Sequence, residues 1–399
     1  MLVGMLTVLG SVGFGRFGYT MILPSMQEAL DLSDTQTGGL ATGNSVGYLA
    51  LALAGGFLAS RYGPRRVIAV SMLLTGAAMM LTGLANSFTG VLVWRVLAGL
   101  GSGGSNVPVM ALLPAWFAAR RRGLAAGVAV AGSSLALVIT GYLVPRILDA
   151  YGADGWRYSC AILGAVAVLL GIVGAALLRD RPEERGLRPV AADADAPAPL
   201  NTVSSLDWGL VYRSSVVWHL ALVYVAFGFS YIIYATYFAK YLQAEAGYTK
   251  EAAGSLWAIV GWISIFFGLV WGTVSDRIGR KYALALVYAL QATAFAAFAL
   301  WQSPTGYTGS AILFGLTAWS IPVIVGAACG DYVGSRLAPA ALGFVTLFFG
   351  LGQAAGPAVA GVLADATLSF APAFLLAAGV AFLGGIGSLL LRPPRTVEE

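Results

Sequence analysis

The chain has 399 residues, of which 58% are hydrophobic and only 10% charged, with a formal net charge of +5 and a mean hydropathy of +0.81. Roughly a quarter of the residues in a soluble domain are charged, so a water-soluble fold is excluded: no single core hides this much apolar surface. The excess of Lys and Arg sits in short clusters between apolar runs, which argues for membrane loops and against nucleic acid or an acidic protein as partner.

Apolar runs of about 20 residues, the length of a bilayer-crossing helix, recur at residues 2–29, 36–60, 67–86, 89–115, 123–148, 157–178, 215–243, 251–275, 282–301, 307–331, 340–364 and 370–391. Helices are required rather than strands, because a lone span must satisfy its own backbone hydrogen bonds and these runs are long and do not alternate. The first fifteen residues hold no Lys or Arg and lead straight into a full-length span, so the first helix is expected to stay as an anchor and not to be a cleaved signal.

Span 1 contains GFGRFGYTMILPSM, residues 13–26, with Arg16 near its middle. A charge there costs about 2.5–3.5 kcal/mol on insertion scales, so it needs a counter-charge or a wet cavity. No Asp or Glu is evident inside the apolar runs to neutralise it, which suggests an anionic substrate group. The alternative is that Arg16 bonds backbone carbonyls at a helix break near Pro24. Tyr19 and Thr20, three and four residues on, share its face. In span 2, Asn44 and Tyr48 share a face, and span 4 aligns Arg95, Ser102 and Asn106 as a polar stripe in an apolar helix. Arg95 serves either substrate and gating or interhelical hydrogen bonding.

Residues 179–214 break the apolar pattern with Pro, Ala and mixed charge, as a solvated linker does. The expected division is therefore an N-terminal half, 1–178, a cytoplasmic linker, 179–214, and a C-terminal half, 215–399. Span 7 opens near His219, which we read as an interfacial residue rather than a proton relay. It continues with Tyr224, Phe227, Tyr231 and Tyr234 at helical spacing, a stripe that serves either packing or binding. Trp257, Trp262, Trp301 and Trp319 are interface or packing candidates. Thr346 and Gln353 share a face of span 11. Cys160 and Cys329 lie in separate spans and are expected as reduced packing residues.

Basic residues cluster after the even-numbered spans: Arg61, Arg65 and Arg66; Arg120, Arg121 and Arg122; Arg179, Arg181, Arg185 and Arg188; Arg277, Arg280 and Lys281; and Arg336, Arg392 and Arg395. After odd-numbered spans, Arg146, Arg157, Lys240 and Lys250 are offset by Asp31, Asp34, Asp149, Asp154, Glu245 and Glu251. The positive-inside rule then puts both termini in the cytoplasm.

The two halves repeat at an offset of 216 residues: GGFLASRYGPRR, residues 55–66, lies over WGTVSDRIGRKY, residues 271–282, so that Arg61 meets Arg277 and Gly63 meets Gly279. The same gapless register carries Gly38 onto Gly254, Gly99 onto Gly315, Arg120 onto Arg336 and Gly127 onto Gly343. A period of half the chain in apolar sequence means two halves of one transporter-like bundle.

On these features the chain resembles the major facilitator superfamily over essentially its whole length. The second hairpin nearly keeps that superfamily's loop signature, as Gly272, Asp276, Arg277, Gly279, Arg280 and Lys281. The first keeps Gly56, Arg61 and Gly63 but has Ser60 at the Asp position and Pro64 at an Arg position. Arg95, Gly99 and Gly101 resemble the superfamily's span-4 signature, and GLGQAAGPAVAG, residues 350–361, offers small residues for close crossings with Pro357 as a bend. Span 1 resembles a bacterial branch with an Arg-Phe-x-Tyr-Thr-x-x-Leu-Pro pattern. The resemblance implies an all-α fold of twelve transmembrane helices in two six-helix repeats, in the bacterial inner membrane, with the hairpins as gating loops. It also implies a cavity lined by spans 1, 4, 7 and 10 with 2, 5, 8 and 11.

The expected function is secondary transport of a small, carboxylate-like organic anion by alternating access, driven by a proton or by exchange. The substrate-binding candidates are Arg16, Tyr19, Thr20, Asn44, Tyr48, Arg95, Asn106, Tyr231, Tyr234 and Gln353. The alternative, a drug/proton antiporter exporting amphipathic compounds, wants a membrane-embedded carboxylate, and the runs offer none. A membrane sensor lacks a sizeable soluble domain. With one histidine and no nucleotide-cradling Gly-rich loop, neither an enzyme, a metal nor a cofactor is expected. The partners are a small-molecule substrate, possible protons and the lipid bilayer; the expected state is a monomer.

Overall fold

A computed structural model describes residues 1–188, 190, 208–334 and 337–391. Part of the expected linker, with Arg336, Arg392, Arg395 and the Arg120 side chain, lies outside what it describes. Taken across short breaks, the described helices form twelve long rods: α1 Leu2–Leu30, α2 Asp34–Tyr62, α3 Pro64–Thr82, α4 Phe88–Trp116, α5 Ala119–Tyr151, α6 Gly155–Leu177, α7 Ser215–Ala244, α8 Lys250–Ile278, α9 Arg280–Leu300, α10 Pro304–Val333, α11 Ala338–Thr367 and α12 Ala371–Leu389. Nine continuous segments are long and apolar enough to cross a membrane, or ten with α8. One of them, Arg121–Leu177, runs through both α5 and α6. Only α2 then falls short, because polar residues such as Asn44 and Ser45 interrupt it, and the expected twelve spans are compatible with this set.

The rods start where capping chemistry allows. Ser33 accepts from the Gln36 N–H and Gln36 reciprocates to the Ser33 N–H, a capping box at the head of α2. Ser87, Thr249 and Ser303 cap α4, α8 and α10 one way only, each side-chain oxygen accepting a backbone N–H three residues on. The short turns α2–α3 and α8–α9 each pivot on a glycine in the left-handed region, Gly63 at φ +86° and Gly279 at φ +90°, where a side chain would be strained. One element was not expected: a short helix, Trp208–Arg213, forms inside the interval expected as linker. Val211 is fully buried there, and Tyr212 packs edge-on against Phe344 of α11, so apolar contact orders a segment that composition alone marks as solvated.

The two halves meet through α2 against α11 and α5 against α8. At the end remote from the hairpins these crossings are backbone-tight. Gly38 lies on the Pro357 carbonyl, and Gly254 lies on the Gly141 carbonyl. No Cβ fits at either position without displacing backbone. At the same end Asp365 accepts from the backbone N–H groups of Asp34, at 2.9 Å, and Thr35, at 2.8 Å. Lys240 of α7 bonds both Asp34 and Gln27, and Lys250 lies 3.9 Å from Asp149. At the hairpin end, by contrast, the sites where a Cβ would extend from Gly123 of α5, Gly326 and Gly330 of α10 and Gly343 of α11 face open space. The bundle is thus locked at the end remote from the hairpins.

Candidate functional site

Arg16 sits in the middle of α1 on a π-helical stretch, Leu9–Phe17, a widened turn that often marks functional sites. The side chain is 7% exposed. Its Nη2 donates to Ser45 Oγ of α2 at 3.1 Å, and the guanidinium lies 5.3 Å from the centre of the Tyr48 ring. Arg95 of α4 is 5% exposed; its Nη1 donates to the Gly15 carbonyl at 3.0 Å, and it stacks 4.2 Å over Tyr19. The bonds foreseen as the alternative, from Arg16 to backbone carbonyls at a bend near Pro24, are not among those described: Arg16 bonds Ser45, and it is Arg95 that takes a carbonyl of the widened turn. In both guanidinium groups the Nε–H has no partner. Among the described residues neither arginine has a carboxylate within ion-pair distance.

These groups converge on a narrow pocket between the halves, with room for about one water molecule. The first half supplies Arg16, Tyr19, Thr20, Asn44 and Arg95, all foreseen, together with Phe17, Ala41 and Ser45. The second half supplies Ile232, Ala235 and Thr236. Those three were missed, although the repeat itself carries the signal: at the offset of 216 they are the mates of Arg16, Tyr19 and Thr20. Thr20 closes the seam by donating to the Ala235 carbonyl at 2.6 Å. Ser45 follows Asn44 directly and was passed over because serine is unremarkable in a small-residue helix.

The other expected residues divide. Tyr48 accepts from Asn106 Nδ2 at 2.8 Å and so extends the polar layer beside Arg16. Tyr231 receives a hydrogen bond from Gln353 Nε2, stacks on Phe227 at 4.6 Å and feels the charge of Arg16. Asn44 donates to the Arg95 carbonyl at 3.0 Å, tying α2 to α4. Tyr234 stands apart from this group: it is fully buried among Phe295, Phe298 and Phe314, with its hydroxyl on Ser310 at 2.8 Å. Helical spacing put it in line with Tyr231, but three residues of a 3.6-residue helix turn it into the packing of its own half. His219 bonds the Gly387 carbonyl at 2.9 Å, half-buried at the start of α7. Trp319 spans the halves to Ser134 Oγ at 2.9 Å, while Trp262 and Trp301 are exposed.

The two hairpins bond within their own halves. In the second, Arg280 joins Asp276 at 2.5 Å and Asp331 at 2.7 Å; in the first, where Ser60 replaces the acid, Asp180 accepts from the Arg65 N–H at 2.6 Å, and Arg65 Nε donates to the Ala175 carbonyl at 2.7 Å. Arg61 and Arg277 are exposed, as are Gly56 and Gly279. Gly272 and Arg280 are half-buried.

A helical bundle of two repeats around a buried charged pocket that both halves line defines a multi-pass membrane transporter, not an enzyme. The chain belongs to the Major Facilitator Superfamily, whose family model matches residues 5–336. It is 24% identical to a probable sulfoacetate transporter of Cupriavidus necator, over 100% of this chain and 95% of that protein. It is 25% identical to a hexuronate transporter of Bacillus subtilis, over 95% of this chain and 91% of the relative. In fold it is similar to a bacterial homologue of the human lysosomal transporter Spinster, solved inward-facing and unoccupied, with a TM-score of 0.73, 18% identity and 98% of each chain covered.

Proposed function

We propose that the chain carries a small, carboxylate-like organic anion across the bacterial cytoplasmic membrane by alternating access, as a monomer with both termini cytoplasmic. One observation carries this: two buried guanidinium groups in the seam between the halves each keep an unpartnered Nε–H and no carboxylate of the chain within reach. Charges so placed are expensive, about 2.5–3.5 kcal/mol each on insertion scales, and a carboxylate or sulfonate offsets that cost while accepting the free N–H donors. Thr20, Thr236 and Asn44 add hydroxyl and amide groups suited to a hydroxylated anion. The names of the two relatives, for sulfoacetate and hexuronate, agree with this substrate class. The locked remote end agrees with a bundle closed toward the outside, the hairpins being cytoplasmic in this reading. Export of amphipathic cations is disfavoured by a cationic pocket.

Proteoliposome uptake of radiolabelled sulfoacetate, glucuronate and lactate tests the proposal. At least one should accumulate, and Arg16→Gln should reduce its uptake on the order of 10- to 100-fold, the worth of a charged hydrogen bond lost from a buried site. An Arg16→Gln variant that moves every anion as fast as the unaltered protein rules out Arg16 as the charge partner.

A further inference from the structure

Three cations are buried inside the bundle, Arg16, Arg95 and Lys240, and among the described residues no Asp or Glu is buried with them. Lys240 is answered by Asp34 at the locked end. The arginines are answered only by neutral groups: Ser45 Oγ, the Gly15 carbonyl and two phenol rings. The titratable groups that face the arginine pair from the surrounding helices are Tyr19 of α1, Tyr48 of α2, Cys160 of α6 and Tyr231 of α7. These are phenols and a thiol, whose ordinary pKa values leave them neutral at pH 7. The carboxylates nearest the seam are committed elsewhere. Asp34 serves Lys240, Asp365 caps the head of α2, and Glu245 accepts from Ser369 Oγ at 2.6 Å and the Phe370 N–H at 2.7 Å.

We propose that this transporter is an obligatory anion exchanger. The inference rests on the anion-transport function proposed above and names its coupling. To change the side on which the pocket opens, the bundle must pass through a state closed at both ends. That state strips the last water from two guanidinium groups whose pocket already has room for only about one. With an anion bound their charge is offset and closure proceeds; with the pocket empty, two like charges face each other in a low dielectric and closure stalls. A proton-driven carrier escapes this with a carboxylate that replaces the departing substrate at the cation and takes a proton when substrate returns. The pocket wall offers no such group, so the counter-charge for the return step has to be a second anion. One anion leaves for each anion of equal charge that enters, and no proton takes part.

The test compares the unaltered protein in two kinds of proteoliposome, one preloaded with unlabelled anion and one free of it, given labelled sulfoacetate, glucuronate or lactate outside. Preloaded vesicles should take up label at least tenfold faster, and an inward proton gradient should not fill the anion-free ones. Anion-free vesicles that fill as fast as preloaded ones under the proton gradient overturn exchange and leave anion transport standing. If no anion moves in either arrangement, the underlying function falls and exchange with it. Ser45→Asp places an internal carboxylate beside Arg16 and should raise uptake into anion-free vesicles, narrowing the ratio. A folded, transporting Ser45→Asp protein with an unchanged ratio overturns the counter-charge argument.

Discussion

The locked end and the central pocket are built on the same repeat, yet they use it in opposite ways. At the locked end, mates do the same work. Gly38 on Pro357 becomes, 216 residues on, Gly254 on Gly141, and the pairs exchange under the offset. Asp365 at the head of α2 has as its mate Asp149, beside Lys250 at the head of α8. Even the approach of Gly99 to the Asn44 carbonyl returns, more loosely, as Gly315 beside the Val260 carbonyl, where an added Cβ would stand 3.2 Å from that oxygen. Around the pocket only the mates Thr20 and Thr236 keep one chemistry: Arg16 is matched by Ile232, Tyr19 by Ala235, and Arg95 by Ala311, which lies outside the pocket. Symmetry serves rocking, which needs two equivalent fulcrums. Under the proposed function, asymmetry serves binding, because one half holding all the charge lets the other slide over the ligand without carrying it.

The largest expected effect breaks this comparison at the pocket. Arg95→Gln should lower anion uptake on the order of 10- to 100-fold through the lost charge-assisted bonds. Ala311→Ser, at its mate, should leave uptake within about twofold, because Ala311 is buried outside the pocket and a serine hydroxyl there can bond the carbonyl one helical turn before it. Equal losses at the two positions in a proteoliposome assay would mean that the charge is structural.

Next in size are the fulcrums. Gly38→Leu and Gly254→Leu each force a side chain into an opposing backbone carbonyl, so each should destabilise the locked state by about 1–3 kcal/mol, the usual cost of overpacking. Labelling of a cysteine introduced at Thr20, by a reagent added from the remote side, reads this directly and should rise similarly in both. A strong rise in one variant with none in the other would sink the idea of equivalent fulcrums.

The smallest effect lies at the hairpins, where the halves have diverged. Asp276 is exposed and its pair with Arg280 is partly redundant with Asp331, so Asp276→Asn should cost about 0.2–1 kcal/mol in thermal unfolding. Asp180→Asn in the first half should cost about 1–1.5 kcal/mol, because the amide oxygen still accepts from the Arg65 backbone N–H at the Pro64 turn but without the charge. If Asp276→Asn proves the more damaging, the two hairpins are stapled differently from the bonds described here.

Much of the architecture was legible beforehand because lipid imposes a strict rule: apolar runs of bilayer length have to be helices, and Gly/Arg clusters have to be turns. Arg16, Tyr19, Thr20, Asn44 and Arg95 were legible for the same reason, since polar groups stand out against an apolar run, and all five line the pocket. Ile232 and Ala235 were not, because an apolar wall residue in an apolar helix carries no mark of its own. Tyr234 misled because periodicity assigns residues to a broad face, whereas a pocket takes only part of one.

From the chain alone came the membrane setting, the doubled plan and the expensive arginines, each a matter of local composition that no packing can reverse. Tertiary structure decided which end is locked, which mates touch and that each guanidinium keeps a free donor while one of its nitrogens is tied to Ser45 or Gly15. Those outcomes depend on distances between helices tens to hundreds of residues apart, and they follow from backbone approach and shared hydrogen bonds that no single segment contains.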